Sequence, residues 1–408
     1  MTANRPCLHC KGAHGENDCP LYQKALSLYR VQNALGSSSF AGSSPAPFIG
    51  RFGYPHVNVG LLAPPELGEH VAGYDDPRGW GARNAQIPEV VGFRSSMVNS
   101  RTKLDVKNRS NVLDLAQEIA LASKPVDLDI ELLKRPTINM QLDGTMAPMG
   151  PSAELKSVAL TSNPSIHTRV ERVFGDTDLK AAEGLTSLYE HGIDENHLSK
   201  MLSTATMGIG KNRRLVPTRW AITATDDTIG KNIIQDVKEC SLRHDYAYYF
   251  DGYMGNYYLV LVFPEIWSYE LFETYLPSQK PDGEANYSTD HEMFAGRKEY
   301  AHNTAGGYYT ARLAVSERLR KLKRQASALV LRFVTSEYTV PLGVWVTREA
   351  CRKSMASEPR SFGSKEELLR GVRAFVRQRF SFDADRLLRV STLLREQRQP
   401  TLRDFSNT

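Results

Sequence analysis

The chain has 408 residues, 41% hydrophobic and 24% charged, and a formal net charge of +5. These values sit in the middle of the globular range and exclude a wholly disordered, collagenous or coiled-coil protein, while the length predicts two or three domains at about 100 to 200 residues each. The modest +5 hides an asymmetry: residues 312–403 hold 21 Lys and Arg against 9 Asp and Glu, whereas residues 1–311 hold 30 against 36.

The first twenty residues contain Cys7, Cys10, His14 and Cys19 in the spacing C-x2-C-x3-H-x4-C. Such a segment is too short for a hydrophobic core, and three thiolates with one imidazole can wrap it around a tetrahedral zinc ion. A closed set of four ligands predicts a structural zinc rather than a catalytic one. Unconnected reduced thiols, or a redox pair at Cys7 and Cys10, are the alternatives. Five cysteines in a chain this long fit a reducing compartment. No apolar run approaches the roughly 18 residues of a membrane span, and the N-terminus has no secretory core. The expectation is a cytoplasmic protein without a membrane partner.

Apolar spacing predicts a helix over residues 21–35, then a Ser/Gly/Pro linker over 36–47 and loops with short strands over 48–103. Residues 111–121 and 127–133 read as helices and 137–152 as a connection. A helical pair follows over 178–191 and 194–202, broken at Gly192 and capped again by Asp194. From 219 to 263 the chain reads as β-rich, with an aromatic hairpin turning at residues 252–256. A breaker-rich stretch at 277–283 precedes a helix over 308–324, strands over 328–334 and 339–345, a helix capped by Ser364 and Glu367, and a last helix over 386–397. Helices and strands are segregated more than alternating, so the predicted fold class is α+β, with a large N-terminal region and a smaller basic C-terminal one.

The densest candidate site is Lys211, Arg213 and Arg214, then Arg219 and Trp220, then Asp226 and Asp227. The cations suit phosphates and Trp220 suits stacking on a base. The paired aspartates suit a magnesium ion for phosphodiester cleavage, although neighbouring residues in a strand face opposite ways. The alternative is a solvated basic loop leading into a buried strand. Residues 50–56, with Arg51 between two glycines, form a second phosphate-cradling candidate without a P-loop pattern. His291, Glu292 and His302 lack metal-ligand spacing and read as surface residues. The aromatic hairpin reads as cross-strand packing more than as a base-stacking platform. Lysines and arginines along 318–324, and Arg370, Arg373, Arg377 and Arg379, predict positive helix faces, which would either attract a polyanion or dock on the acidic N-terminal region.

The end of the chain reads Gln399-Pro400-Thr401-Leu402-Arg403-Asp404-Phe405-Ser406. It resembles the peptide that docks on the sliding clamp PCNA: a short turn puts Leu402 and Phe405 on one side to fill an apolar pocket while Gln399 bonds at its rim. Ser406 stands where stronger versions carry a second aromatic. Together with the cysteine-rich start, the phrases Phe48-Ile49-Gly50-Arg51-Phe52-Gly53-Tyr54-Pro55, Leu215-Val216-Pro217-Thr218-Arg219-Trp220, Gly306-Gly307-Tyr308-Tyr309 and Pro341-Leu342-Gly343-Val344-Trp345 resemble the Nre family of archaeal DNA-repair proteins over nearly the whole chain. The family's zinc segment usually carries four cysteines, and His14 stands here where the third is expected. The resemblance implies a zinc-binding segment at 1–20, an N-terminal region at 21–300, a basic C-terminal region at 301–397 and a clamp-binding tail at 398–408. It implies a repair role on DNA with recruitment by PCNA, and no particular reaction. A clamp-tethered, magnesium-dependent nuclease using Asp226 and Asp227, and an RNA-binding or translation-linked factor, are the alternative functions.

Overall fold

Apolar residues at every second position, as at Val57, Val59 and Leu61 or Val126, Leu128 and Ile130, line the interior of the first half of the chain. The computed structural model describes residues 7, 19–35, 38–136, 138, 147–276 and 286–396. Contacts divide the chain into two units, one comprising Met1–Ile229 and Thr339–Gly343, the other Gly230–Tyr338 and Val344–Thr408.

In the first unit, helix α1 (Pro20–Ala34) precedes strands β1 (Ser39–Ser44), β2 (Ala46–Ile49) and β3 (His56–Ala63). After a 3₁₀ turn at Glu69–Asp75 come α2 (Pro77–Ala82), α3 (Ile87–Ser96), β4 (Val98–Asp105), α4 (Asn111–Leu121), β5 (Val126–Leu132) and β6 (Ser152–Leu160). Within the expected linker of residues 36–47, Ser39–Ser44 and the start of β2 at Ala46 are thus strand. β1 and β2 follow one another across Pro45 yet stand at opposite ends of the order β1-β5-β6-β4-β3-β2. Proline cannot donate to a ladder, so the strand bends there and changes partner. Ser44 marks the seam: it pairs with Val126 of β5, while its Oγ donates to Leu62 O of β3 at 2.8 Å. The sheet therefore closes on itself as a small barrel.

The barrel interior holds Ile49, Val57, Val59, Leu61, Val98, Val126, Leu128, Ile130, Ala153 and Leu155, plugged by Leu113, Ala116 and Ile119 of α4. The helix expected at 111–121 is α4, and Ser110 starts it, its Oγ accepting from Leu113 N at 3.2 Å. The predicted helix at 127–133 is instead β5. Its sequence V-D-L-D-I-E-L repeats every two residues, burying Val126, Leu128, Ile130 and Leu132 and turning Asp127, Asp129 and Glu131 outward. Three helices complete the region, α5 (Thr168–Gly175), α6 (Ala181–Glu190) and α7 (Glu195–Ser203), the last two as predicted. Asp194 caps α7, accepting from Asn196 N and His197 N, both at 2.9 Å.

The largest departure from the sequence reading is α8 (Thr218–Glu239), a helix of 22 residues where β structure was expected. Its Thr and Ile content favours strand, but the buried residues Ala221, Thr225, Ile229, Ile233 and Val237 recur every fourth position. Periodicity won over composition.

The second unit is built on β7 (Tyr246–Tyr253), β8 (Asn256–Phe263), β9 (Ser268–Tyr275), β10 (Asn286–Glu292), β11 (Ser327–Val334) and β12 (Arg360–Phe362). Their order is β10-β9-β11-β8-β7-β12, antiparallel except for β9 with β11. The aromatic hairpin is β7 and β8, with Tyr248, Tyr249 and Tyr258 buried as packing. Helices α9 (Ala305–Leu322) and α10 (Trp345–Ala356) lie on one side. On the other, α11 (Lys365–Phe380), α12 (Asp385–Leu388) and α13 (Thr392–Glu396) contribute Leu368, Val372, Val376, Leu387 and Leu393 to the core. Residues 339–343 form no strand and lead into α10. The predicted last helix is broken at Ser391, because buried Glu270 accepts from Ser391 Oγ (2.5 Å), Thr392 N (3.0 Å) and Leu393 N (3.0 Å) and so starts α13 anew. The α+β class holds for both units. Among the described residues, no helix is long and apolar enough to cross a membrane.

Candidate nucleic-acid interface

Two stretches that are far apart in sequence meet at one edge of the barrel. The loop of residues 50–55 joins β2 to β3 and is closed by hydrogen bonds from Gly50 N to Asn58 O and from His56 N to Gly53 O, each 2.8 Å. Gly53 carries φ of +83°, a backbone state that only glycine adopts without steric cost, and the Tyr54–Pro55 peptide is cis. At the root of this loop Ile49 N donates to Thr218 Oγ1 at 2.9 Å, which ties it to the first residue of α8. Trp220 then stands against Tyr54, with ring centroids 5.3 Å apart and planes at 52°.

Both rings stay open to solvent, Trp220 46% and Tyr54 40% exposed, and Phe52 is 70% exposed. Arg51 lies over the Phe52 ring at 4.9 Å, and Arg219 is exposed next to Trp220. Aromatic side chains left in water cost free energy unless something covers them. Two further bonds, Val106 N to Pro55 O and Leu215 N to Val106 O, both 3.0 Å, draw residues 106–109 and 213–216 to the same place. Lys107, Arg109, Lys211 and Arg214 are exposed there. Among the described residues none of these cations is paired with a carboxylate. Exposed rings among unpaired cations match what a single-stranded nucleic acid offers, π faces and phosphates in alternation.

The candidates from the sequence divide accordingly. Trp220 meets Tyr54 of the loop that carries Arg51, Arg219 is exposed on the same first turn of α8, and Lys211 and Arg214 stand exposed on the attached segment. Arg213 is committed elsewhere: its guanidinium donates to Phe174 O (2.6 Å), Thr206 O (2.8 Å) and Ala205 O (3.2 Å) and lies over the Phe174 ring. Burial, and then the charge of Arg109, pull its pKa below the usual arginine value. Asp226 and Asp227 lie within α8 rather than at a turn or in a strand, with Asp226 1% exposed. Adjacent helical positions diverge by about 100° around the axis, so the two carboxylates do not form a natural pair for one ion. Among the described residues, no group of three or more His, Cys, Asp or Glu gathers as a ligand set.

Of the four predicted zinc ligands, Cys7 and Cys19 are buried, 4% and 0% exposed, while Cys10 and His14 lie outside the described residues. Gln399, Leu402 and Phe405 also lie outside them. Glu292, read as a surface residue, is buried and accepts from Arg312 Nη1 (2.8 Å), Tyr308 Oη (3.0 Å) and Trp267 Nε1 (3.1 Å). Of the basic face predicted at the end of α9, Lys321 and Lys323 are exposed and Arg318, Arg320 and Arg324 half-buried, and Arg370, Arg373 and Arg377 line an exposed face of α11. Sequence reasoning missed Arg101 and Lys103 of β4. The alternation Val98-Asn99-Ser100-Arg101-Thr102-Lys103 was the available signal, and it puts both cations on the outer face of the barrel.

Comparison with known proteins accounts for nearly the whole chain. The family model "Archaeal Nre, N-terminal" matches residues 14–280, and "Archaeal Nre, C-terminal" matches residues 292–405. The chain belongs to the archaeal Nre family. Its relatives include the "DNA repair protein NreB" of Archaeoglobus fulgidus, 36% identical over 403 residues and covering 98% of this chain and 99% of that protein. The "DNA repair protein NreA" of Haloferax volcanii is 35% identical over 337 residues, 80% of each chain. The "DNA repair protein NreA" of Archaeoglobus fulgidus is 35% identical over 374 residues, 89% of this chain and 92% of that one. No solved structure matches the chain. The N-terminal Nre match includes the barrel, the loop at 50–55 and Trp220, and the C-terminal one includes α9 to α13.

Proposed function

We propose that this Nre protein acts in DNA repair, that it holds nucleic acid at the edge of the barrel, and that its C-terminal tail docks it on the sliding clamp. The juxtaposition of Tyr54 and Trp220, exposed side by side with Arg51 and Arg219, is the observation that carries the nucleic-acid reading. Trp220 and Tyr54 stack on unpaired bases, and Phe52 extends the same apolar surface. Arg51 and Arg219 neutralise the phosphates between those bases, with Lys211 and Arg214 behind them. The names of the relatives support repair as the setting. The motif Gln399, Leu402 and Phe405 supports recruitment by PCNA, and the set Cys7, Cys10, His14 and Cys19 supports a structural zinc.

The stacking role has a direct readout. Trp80, Trp267 and Trp345 are 0%, 0% and 5% exposed, so Trp220 alone among the four tryptophans is open to a ligand. Titration with oligo-dT should quench its fluorescence, and Trp220→Ala should abolish the quench and weaken binding by about 1–3 kcal/mol, roughly 5- to 150-fold. Unchanged affinity in Trp220→Ala, measured by anisotropy of a labelled oligonucleotide, would refute the site.

A further inference from the structure

We propose that the barrel is an oligonucleotide-binding barrel whose single-stranded ligand runs from the loop at 50–55 across the outer face of β3 and β4. The proposal extends the nucleic-acid reading above and rests on it, but it is carried by the topology of the barrel and by residues outside that patch. With β1 and β2 counted as one bent strand, the barrel has five strands, whose circular order is first-second-third-fifth-fourth-first. Every pairing is antiparallel except the third with the fifth, where Asn99, Ser100 and Arg101 of β4 run parallel to Ser152, Ala153 and Glu154 of β6. The helix α4 lies between the third and fourth strands in sequence and plugs the core. That is the strand order of the OB barrel, which binds oligomers on the face of its second and third strands beside the loop joining its first and second. Here those are β3, β4 and the loop at 50–55.

A shared topology does not by itself assign a ligand, so the residues must supply the chemistry. On the outer face, His56 stands opposite Asp105, Asn58 opposite Lys103 and Gly60 opposite Arg101. Arg101 and Lys103 are exposed, and among the described residues neither is paired with a carboxylate. Further along, Leu62 and Asn99 are 8% and 6% exposed, so the open path ends there. Asn99 Oδ1 lies 1.9 Å from where a Cβ on Gly60 would be, a close approach that only glycine permits, and it has no hydrogen-bond partner among the described residues. The opposite quadrant of the barrel has the reverse sign, with Asp127 and Asp129 turned outward on β5 and Glu131 beside them paired with Lys156 at 2.7 Å. A polyanion is therefore repelled from one side and drawn to the other. The open rings at the mouth of the path, Phe52 and Tyr54, can stack only on bases that are unpaired, which selects a single strand over a duplex.

The test uses the full chain, labelled oligo-dT and oligo-rU of equal length, and the corresponding DNA duplex, with binding read by anisotropy across a salt series. The expected result is tighter binding of single strands than of duplex. The double variant Arg101→Ala/Lys103→Ala, with an unchanged melting temperature, should weaken oligo-dT binding by about tenfold, and its salt slope should be shallower by about 1.4, at about 0.7 per lost phosphate contact on a single strand. Asp129→Ala, on the acidic quadrant, should not weaken binding. If the double variant binds like the native chain while Trp220→Ala is impaired, the path across β3 and β4 is wrong and the patch stands. If the duplex binds tighter, the single-strand assignment is overturned. If neither variant matters, both readings fail together, and preference for oligo-rU would overturn DNA as the ligand class.

Discussion

Arg213 shows how one residue can read as a ligand-binding group and serve as a structural clamp. It stands in a run with Lys211 and Arg214 that resembles a phosphate site, yet its fork of donors is filled by three carbonyls on two segments, Phe174 and Ala205 with Thr206. Guanidinium fits such a set because its donors are coplanar and fixed, whereas an ammonium would satisfy the same carbonyls poorly. Removing it leaves partly buried acceptors unmade, which costs about 1–3 kcal/mol. Arg213→Ala should therefore lower the unfolding free energy by that amount in a denaturant titration, with oligonucleotide affinity of the folded protein unchanged. Its neighbours Lys211 and Arg214 should behave in the opposite way, because their side chains are exposed. Sequence proximity could not separate these roles, since which way each side chain turns depends on where residues 174 and 205 lie.

At the scale of elements, local signals were legible wherever capping chemistry or period was decisive. Ser110, Asp194 and Ser364 begin α4, α7 and α11 through their own side chains, and the residues that follow need no tertiary help to be read as helical. In β5 and α8 composition and period disagree, acidic residues against a two-residue alternation in the first and Thr and Ile against a four-residue recurrence in the second, and the period decides the structure. β1 and β2 were misread because Ser, Gly and Pro also occur where a barrel strand must bend. The segment before α1 poses a different question, since it has too few apolar residues for a core. The fit of zinc there rests on two buried thiols, Cys7 and Cys19, and on a donor set of three thiolates and an imidazole. Metal analysis should return about one zinc per chain. Cys19→Ala should lose it and lower the melting temperature, and retention of a full zinc in that variant would rule out the ligand set.

At the scale of the whole molecule, the charge asymmetry changes meaning once burial is known. Part of the excess at residues 312–403 is interior, because Arg312, Arg332 and Arg348 are 1%, 6% and 2% exposed. Arg312 is held by Glu292 and Arg332 by Glu273, as parts of the core of the second unit. What remains at the surface includes Lys321 and Lys323 at the end of α9 and the ridge on α11, where Arg373 reaches Asp385 at 2.8 Å beside Arg389 at 3.8 Å. Clamp docking is expected to be independent of these charges. Phe405→Ala should weaken binding to PCNA by at least about 2 kcal/mol, roughly 30-fold, as for a central aromatic anchor. Oligonucleotide binding should be unaffected, and equal clamp affinity by calorimetry would remove the tail from the account.

The sequence by itself determined the family and the helices that carry their own caps, and it supplies the spacing proposed for zinc at one end and the motif proposed for the clamp at the other, because each is written in residues close together along the chain. Only the tertiary structure decided that residues 39–160 close into a barrel, that α8 is a helix with Asp226 inside it, and that Tyr54 meets Trp220. Those outcomes depend on hydrogen bonds such as Ile49 N to Thr218 Oγ1, made between residues 169 positions apart. Neither partner carries a local mark of the other, so contact had to reveal what spacing could not.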